Sequence, residues 1–83
     1  MDDKNLYVVI ETGGSIGENA SRGQYRICGG LYYDNKVSAK DLTRRMSNMY
    51  GGGYYDYHYR TQTLYWAKRH CDKSEWMNLR LSS

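Results

Sequence analysis

The residues that could carry chemistry are few: Cys28, Cys71, His58, His70 and Asp56. A cysteine thiolate beside an imidazole would make a nucleophile and its base, but no nucleophile motif surrounds either cysteine, so such a pair would depend wholly on the fold to unite it. Four potential zinc ligands are present, yet they form neither a Cys-x-x-Cys nor a His-x-x-x-His pair. His70 and Cys71, being adjacent, would point to opposite faces of a strand. No metal site and no cofactor is expected. Asp56 and His58 share one face of an expected strand, where a solvated ion pair is the simpler reading than an acid/base dyad. Gly13-Gly14-Ser15-Ile16-Gly17 follows a strand as a phosphate-cradling loop would, but no Gly-Lys-Ser/Thr closes it and no helix with a clear apolar stripe follows, so it reads as a turn. The chain is read as non-enzymatic.

A second kind of chemistry stands out more. Tyr54, Tyr55, Tyr57 and Tyr59 are followed by Arg60, Tyr65, Trp66, Lys68 and Arg69. Rings interleaved with cations can stack nucleobases while the cations hold phosphates. The same residue types, Tyr, Trp and Arg, also dominate the cores of protein interfaces. These nine residues are the expected partner surface. Lys40, Arg44 and Arg45 form a secondary basic face on a helix.

The elements that must position these residues follow from periodicity. Leu6 to Thr12 is a β-branched run of strand length with Leu6, Val8 and Ile10 on one side. From Gln24 to Asp34, Tyr25, Ile27, Gly29, Leu31 and Tyr33 share a face, giving a second strand bent at Gly29-Gly30. A helix is predicted from Val37 to Gly51: Ser38 and Asp41 have capping-box spacing, Val37 and Leu42 sit at the staple positions, and Ala39, Leu42, Met46 and Met49 form an apolar stripe. Gly51 is its stop. Tyr54 to Arg60 alternates as a third strand. The apolar parity then shifts to Leu64 and Trp66, which predicts a turn across Arg60 to Thr63 and a fourth strand from Leu64 to Arg69. In Glu75 to Leu81 the period-two pattern of Met77, Leu79 and Leu81 outweighs the capping-box spacing of Asp72 and Glu75 and predicts a last strand. The expected architecture is α+β in the order ββαβββ, an antiparallel sheet of four to five strands with one helix packed on one face.

Composition bounds the rest. Eighty-three residues, 40% hydrophobic and 25% charged, suit a single domain spanning 1–83. Ten tyrosines and two tryptophans stand beside no phenylalanine, so every large ring carries a polar handle. Acidic Asp2 and Asp3 stand where a secretory leader needs basic residues, and no stretch is apolar enough to span a membrane, so a cytoplasmic location without a membrane partner is expected. Two cysteines in that setting read as free thiols. Residues 1–20 carry one lysine against four acids, and residues 21–83 carry eleven basic residues against five acids. A net charge of +3 is modest for a nucleic-acid-binding domain of this size. The expected function is therefore stoichiometric binding of a protein partner, as an inhibitor or accessory factor. In size and lack of catalytic residues it compares with the small inhibitors that phages and mobile elements direct at nuclease complexes in the host cytoplasm, anti-CRISPR proteins among them. Single-stranded nucleic-acid binding through the tyrosine face is the alternative, and a pocket sequestering a nucleotide between Tyr and Arg side chains is the third reading.

Overall fold

The computed structural model describes residues 3–12, 25–50 and 58–82. Strand β1 (Tyr7–Thr12) is the middle of a three-stranded antiparallel sheet, between β2 (Arg26–Ile27) and β4 (His58–Thr63). Its three central residues, Val8, Val9 and Ile10, are fully buried, so the strand is covered on both faces and not only on the Leu6, Val8 and Ile10 side. Burying each such side chain is worth about 1.5–3 kcal/mol. These residues anchor the molecule.

Helix α1 (Lys36–Tyr50) covers the Val9 face, where Ala39, Leu42 and Met46 meet Val9, Cys28, Tyr7, Tyr33 and Tyr59. Thr43 Oγ1 donates to the Ala39 carbonyl at 2.9 Å, so in its 2.7 Å contact with Thr61 the β4 hydroxyl is the donor. The predicted helix is present, but its cap differs. Asn35 Oδ1 accepts from Val37 N at 2.9 Å, which makes Asn35 the N-cap, while Ser38 lies exposed inside the helix and Asp41 pairs with arginines. An asparagine side chain reaching the second N–H of a helix satisfies one of the orphan donors at its start, a different one from those the predicted box would have served.

The second strand bends where expected. β2 pairs Ile27 with Ile10 and Arg26 with Glu11, Cys28 N donates to Val9 O, and Gly29 and Gly30 then take positive φ of 81° and 65°. The chain resumes as β3 (Leu31–Tyr32) and returns to β1 through two 2.7 Å backbone bonds between Tyr33 and Tyr7. β3 pairs in parallel with β5 (Arg80–Leu81), a separate two-stranded sheet.

The other face of β1 corrects the expected architecture. β4 runs through Thr63 in unbroken register from Thr12↔His58 to Tyr7↔Thr63, with no turn across residues 60–63. Leu64 then begins a helix, α2 (Leu64–His70), where a fourth strand was predicted. Leu64, Ala67 and Cys71, spaced three and four apart, pack on Leu6, Val8 and Ile10, and this stripe outweighs the Leu64/Trp66 alternation. Thr63 Oγ1 caps α2 by accepting from Trp66 N at 3.1 Å, and Lys68, Arg69 and His70 in the last turn favour its dipole. A single-turn helix, α3 (Lys73–Trp76), follows, and only Arg80–Leu81 of the predicted last strand is extended. Its alternation does not mark a buried face, since Met77 and Leu81 are 61% and 45% exposed. Among the described residues the result is mixed α and β with a three-stranded antiparallel sheet, helix α1 on one face and α2 with α3 on the other, instead of four to five strands under one helix.

Candidate functional site

Tyr54, Tyr55, Tyr57 and Asp56 lie outside the described residues. The remaining residues of the expected tyrosine surface divide between two faces of the sheet. Tyr59 turns toward α1: its ring packs against the Val9 cluster and its hydroxyl donates to Glu11 Oε2 at 3.0 Å. Arg60, the next residue, turns the other way, and its guanidinium carbon lies 5.9 Å from the centre of the Tyr25 ring.

From Arg60 a row of rings crosses to α2. Tyr25 meets Trp66 edge-on at 5.1 Å, and Trp66 lies 4.2 Å from the His70 ring, tilted by 32°. Two of the three rings, Tyr25 and Trp66, pack on the Leu6–Ile10 core, so the row is chiefly a brace between β2, β4 and α2.

Outward on α2 the side chains are offered to solvent. Tyr65 is 43% exposed. The Lys4 ammonium and the Arg69 guanidinium each lie 5.6 Å from its ring centre, and Arg69 Nη1 donates to its hydroxyl at 3.2 Å. Because the hydroxyl accepts that bond, its own proton remains to be donated. One turn away, Lys68 Nζ pairs with Asp3 at 2.6 Å and lies 5.3 Å from the Trp76 ring centre. The 3-10 turn Asp3–Asn5 is thereby fastened to α2 by both of its charged residues.

The secondary basic face is on the far side of the sheet. Arg44 and Arg45 both engage Asp41, at 2.6 and 3.2 Å, and remain 73% and 63% exposed. With Lys40 and Val37, Asp41 and Arg44 line a shallow hollow of about 290 Å³. The two basic surfaces are thus separate, and Asp41 partly neutralises this one.

Lys4 and Trp76 were not singled out from the sequence, Tyr25 was read only as a strand residue, and His70 only as a candidate metal ligand or catalytic imidazole. The signal for two of their contacts was present: once residues 64–70 are helical, Tyr65/Arg69 and Trp66/His70 are i,i+4 neighbours.

The cysteines are both free and both buried. Burial pushes the Cys28 thiol up to about 12, with Glu11 and Glu75 adding to the effect and Arg26 opposing it. Burial, then Glu75, pushes Cys71 to about 11. Neither supplies thiolate at neutral pH. Among the described residues no group of three His, Cys, Asp or Glu is placed to hold a metal ion, and no helix is long and apolar enough to cross a membrane. Compared with protein-family models, curated proteins and solved structures, the chain matches none.

Proposed function

We propose that this chain is a non-enzymatic binding protein whose contact surface is the outward side of α2, with Tyr65 and Arg69 at its centre and Lys4, Lys68 and Arg60 around them, and that its partner is a protein. The observation that carries this reading is the exposed Tyr65 ring with two cations close over it. An aromatic body already ordered by its neighbours loses little entropy on binding, and Tyr and Arg are the residue types that anchor protein interfaces.

Binding of single-stranded nucleic acid by a tyrosine-covered sheet has less support. In the described part, α1 lies over one face of the sheet and α2 with α3 over the other, and Tyr59, Tyr25 and Trp66 are engaged in those layers. A base needs an open ring face on which to stack. With its size and buried thiols, the reading takes the form of a stoichiometric inhibitor or accessory factor of the phage type, directed at a host complex such as a nuclease.

The test is capture of the partner from host extract by the tagged chain, with identification by mass spectrometry, followed by affinity measurement against salt. Tyr65→Ala is expected to weaken binding by about 2 kcal/mol, with a shallow salt dependence. The reading fails if the captured partner is nucleic acid whose affinity falls with a log-log slope of roughly −0.7 per phosphate contact. It fails equally if Arg44→Ala with Arg45→Ala abolishes binding while Tyr65→Ala does not.

A further inference from the structure

Asp3, Leu6, Tyr32, Leu64, Lys68, Trp76, Met77 and Leu79 enclose a cleft of about 380 Å³. That is within the range of small-ligand sites, roughly 300–1,000 Å³. Tyr65 is not among its walls, but Lys68 is, so the cleft adjoins the partner surface proposed above. Six of the eight lining residues are aliphatic or aromatic, although polar atoms make up more than half of the surface the cleft presents, and the charged groups are the paired Asp3 and Lys68, whose side chains are 30% and 36% exposed.

Trp76, one of the walls, carries a polar atom that does not itself open into the cleft. Its indole Nε1 is a buried donor without an acceptor. Buried donors are nearly always paired, so an orphan requires an explanation. The ring stands on α3, a single turn whose N-cap, Asp72, makes no side-chain capping bond. Such a turn is held by tertiary contacts alone and resists a small rotation weakly. Lys68 Nζ, 5.3 Å from the ring centre, brings an ammonium donor beside the orphan indole.

We infer that this cleft is a binding site for a small amphipathic carboxylate, its apolar body on Leu64, Leu79, Tyr32 and Trp76 and its carboxylate on Lys68 and the Trp76 indole N–H. The carboxylate takes the place of Asp3 on Lys68. The sealed Nε1 reaches the incoming oxygen through a turn of the indole on α3, exchanging an unpaired donor for a charge-assisted hydrogen bond. An alkylammonium ligand would break the same Asp3–Lys68 pair, but it would meet a chain of net charge +3 and would offer no acceptor to the indole.

The chain has two tryptophans, so a ¹H–¹⁵N spectrum of the full-length protein contains two indole N–H signals, and Trp76→Phe assigns them. The probe is octanoate below its micelle concentration, with octanol as the match in body but not in head group. A saturable shift of the Trp76 indole signal with the Trp66 signal unmoved is expected. Octanol should bind weakly, and Lys68→Met should weaken octanoate by roughly ten- to a hundredfold, the loss of a hydrogen bond to a charged group. Asp3→Asn should strengthen it by removing the competing carboxylate. An unmoved Trp76 signal overturns the site. Octanol binding as tightly as octanoate, or octanoate binding unchanged by Lys68→Met, overturns the assigned ligand class.

Discussion

Thr63 is the residue on which the placement of Tyr65 and Arg69 turns, because it ends β4 and caps α2 at once. It pairs with Tyr7 in the sheet, with φ −72° and ψ 150°, and its Oγ1 accepts from Trp66 N at 3.1 Å. Thr63→Val keeps the β-branched shape that suits the strand and removes only the hydroxyl. Loss of an N-cap costs about 0.5–2 kcal/mol, typically near 1, and the half-buried setting of Thr63 argues against water replacing the bond in full. For a domain of this size, 1 kcal/mol corresponds to a fall in Tm of roughly 4–8 °C. A helix of seven residues has no stability of its own, so Leu64 and Ala67, at 4% and 0% exposure, must hold it after the cap is lost, and partial fraying at Tyr65 is the expected local effect. Thermal unfolding followed by far-ultraviolet circular dichroism reads the global change, and near-ultraviolet dichroism of the Tyr25–Trp66–His70 row reads the local one. Thr63→Ser restores the acceptor and should recover most of the loss. A Tm for Thr63→Val within about 1 °C of the parent, or Thr63→Ser as damaging as Thr63→Val, would refute the junction described here.

Three further outcomes are expected. Asn35→Ala should destabilise by about 0.5–2 kcal/mol and Ser38→Ala hardly at all, as judged by urea midpoints; the reverse order would return the cap of α1 to Ser38. Gly30→Ala should cost about 1–2 kcal/mol, since its φ of 65° is left-handed though its surroundings are open, and Gly30→Asn should cost less; equal stability of all three chains would contradict the bend. The raised thiols make stability fall at high pH. Both bind their protons more tightly folded than at the ordinary 9.0, so their contribution is intact below pH 9 and is lost as pH rises toward about 11 for Cys71 and about 12 for Cys28. Denaturant midpoints measured across that window should decline more gently in Cys28→Ala/Cys71→Ala than in the parent, and parallel curves would disprove the assignment.

What could be read from the chain, and what could not, separates along one physical line. β1, α1 and the Gly29-Gly30 bend were legible because each is written in a local pattern: a run of branched residues, a 3.6-residue apolar stripe, and paired glycines inside an alternating segment. α2 was hidden because its stripe consists of Leu64, Ala67 and Cys71, two of them small, whereas the large rings Tyr65 and Trp66 lie beside or outside it. Counting large residues favours a strand; counting what fits under a helix pressed on Val8 and Ile10 favours the helix. The Arg60 to Thr63 parity change was real, and its cause was a strand becoming a helix, with Thr63 supplying both the branched side chain and the cap. The tyrosine surface was legible as composition but not as placement. Alternation puts Tyr59 and Arg60 on opposite faces, and only the pairing of β4 with β1 decides which face lies under α1.

That pairing also explains how tyrosine serves two ends in a chain without phenylalanine. A ring packed inside with a hydroxyl needs an acceptor, and β1 provides one beside β4: Glu11 is the cross-strand partner of Tyr59 and accepts its hydrogen bond. The Tyr59 ring can then fill the layer between sheet and α1 without leaving an orphan donor. Tyr65 stands at the opposite extreme. Its hydroxyl is an acceptor for Arg69, its ring is flanked by cations, and nearly half of its surface is open. Among the described residues, covering both faces of the short sheet engages Tyr59, Tyr25 and Trp66, and the partner surface proposed above falls on the outer side of α2. There the side chains are ordered by i,i+4 contacts and by the fastened Asp3–Asn5 turn, and burial in the core plays little part.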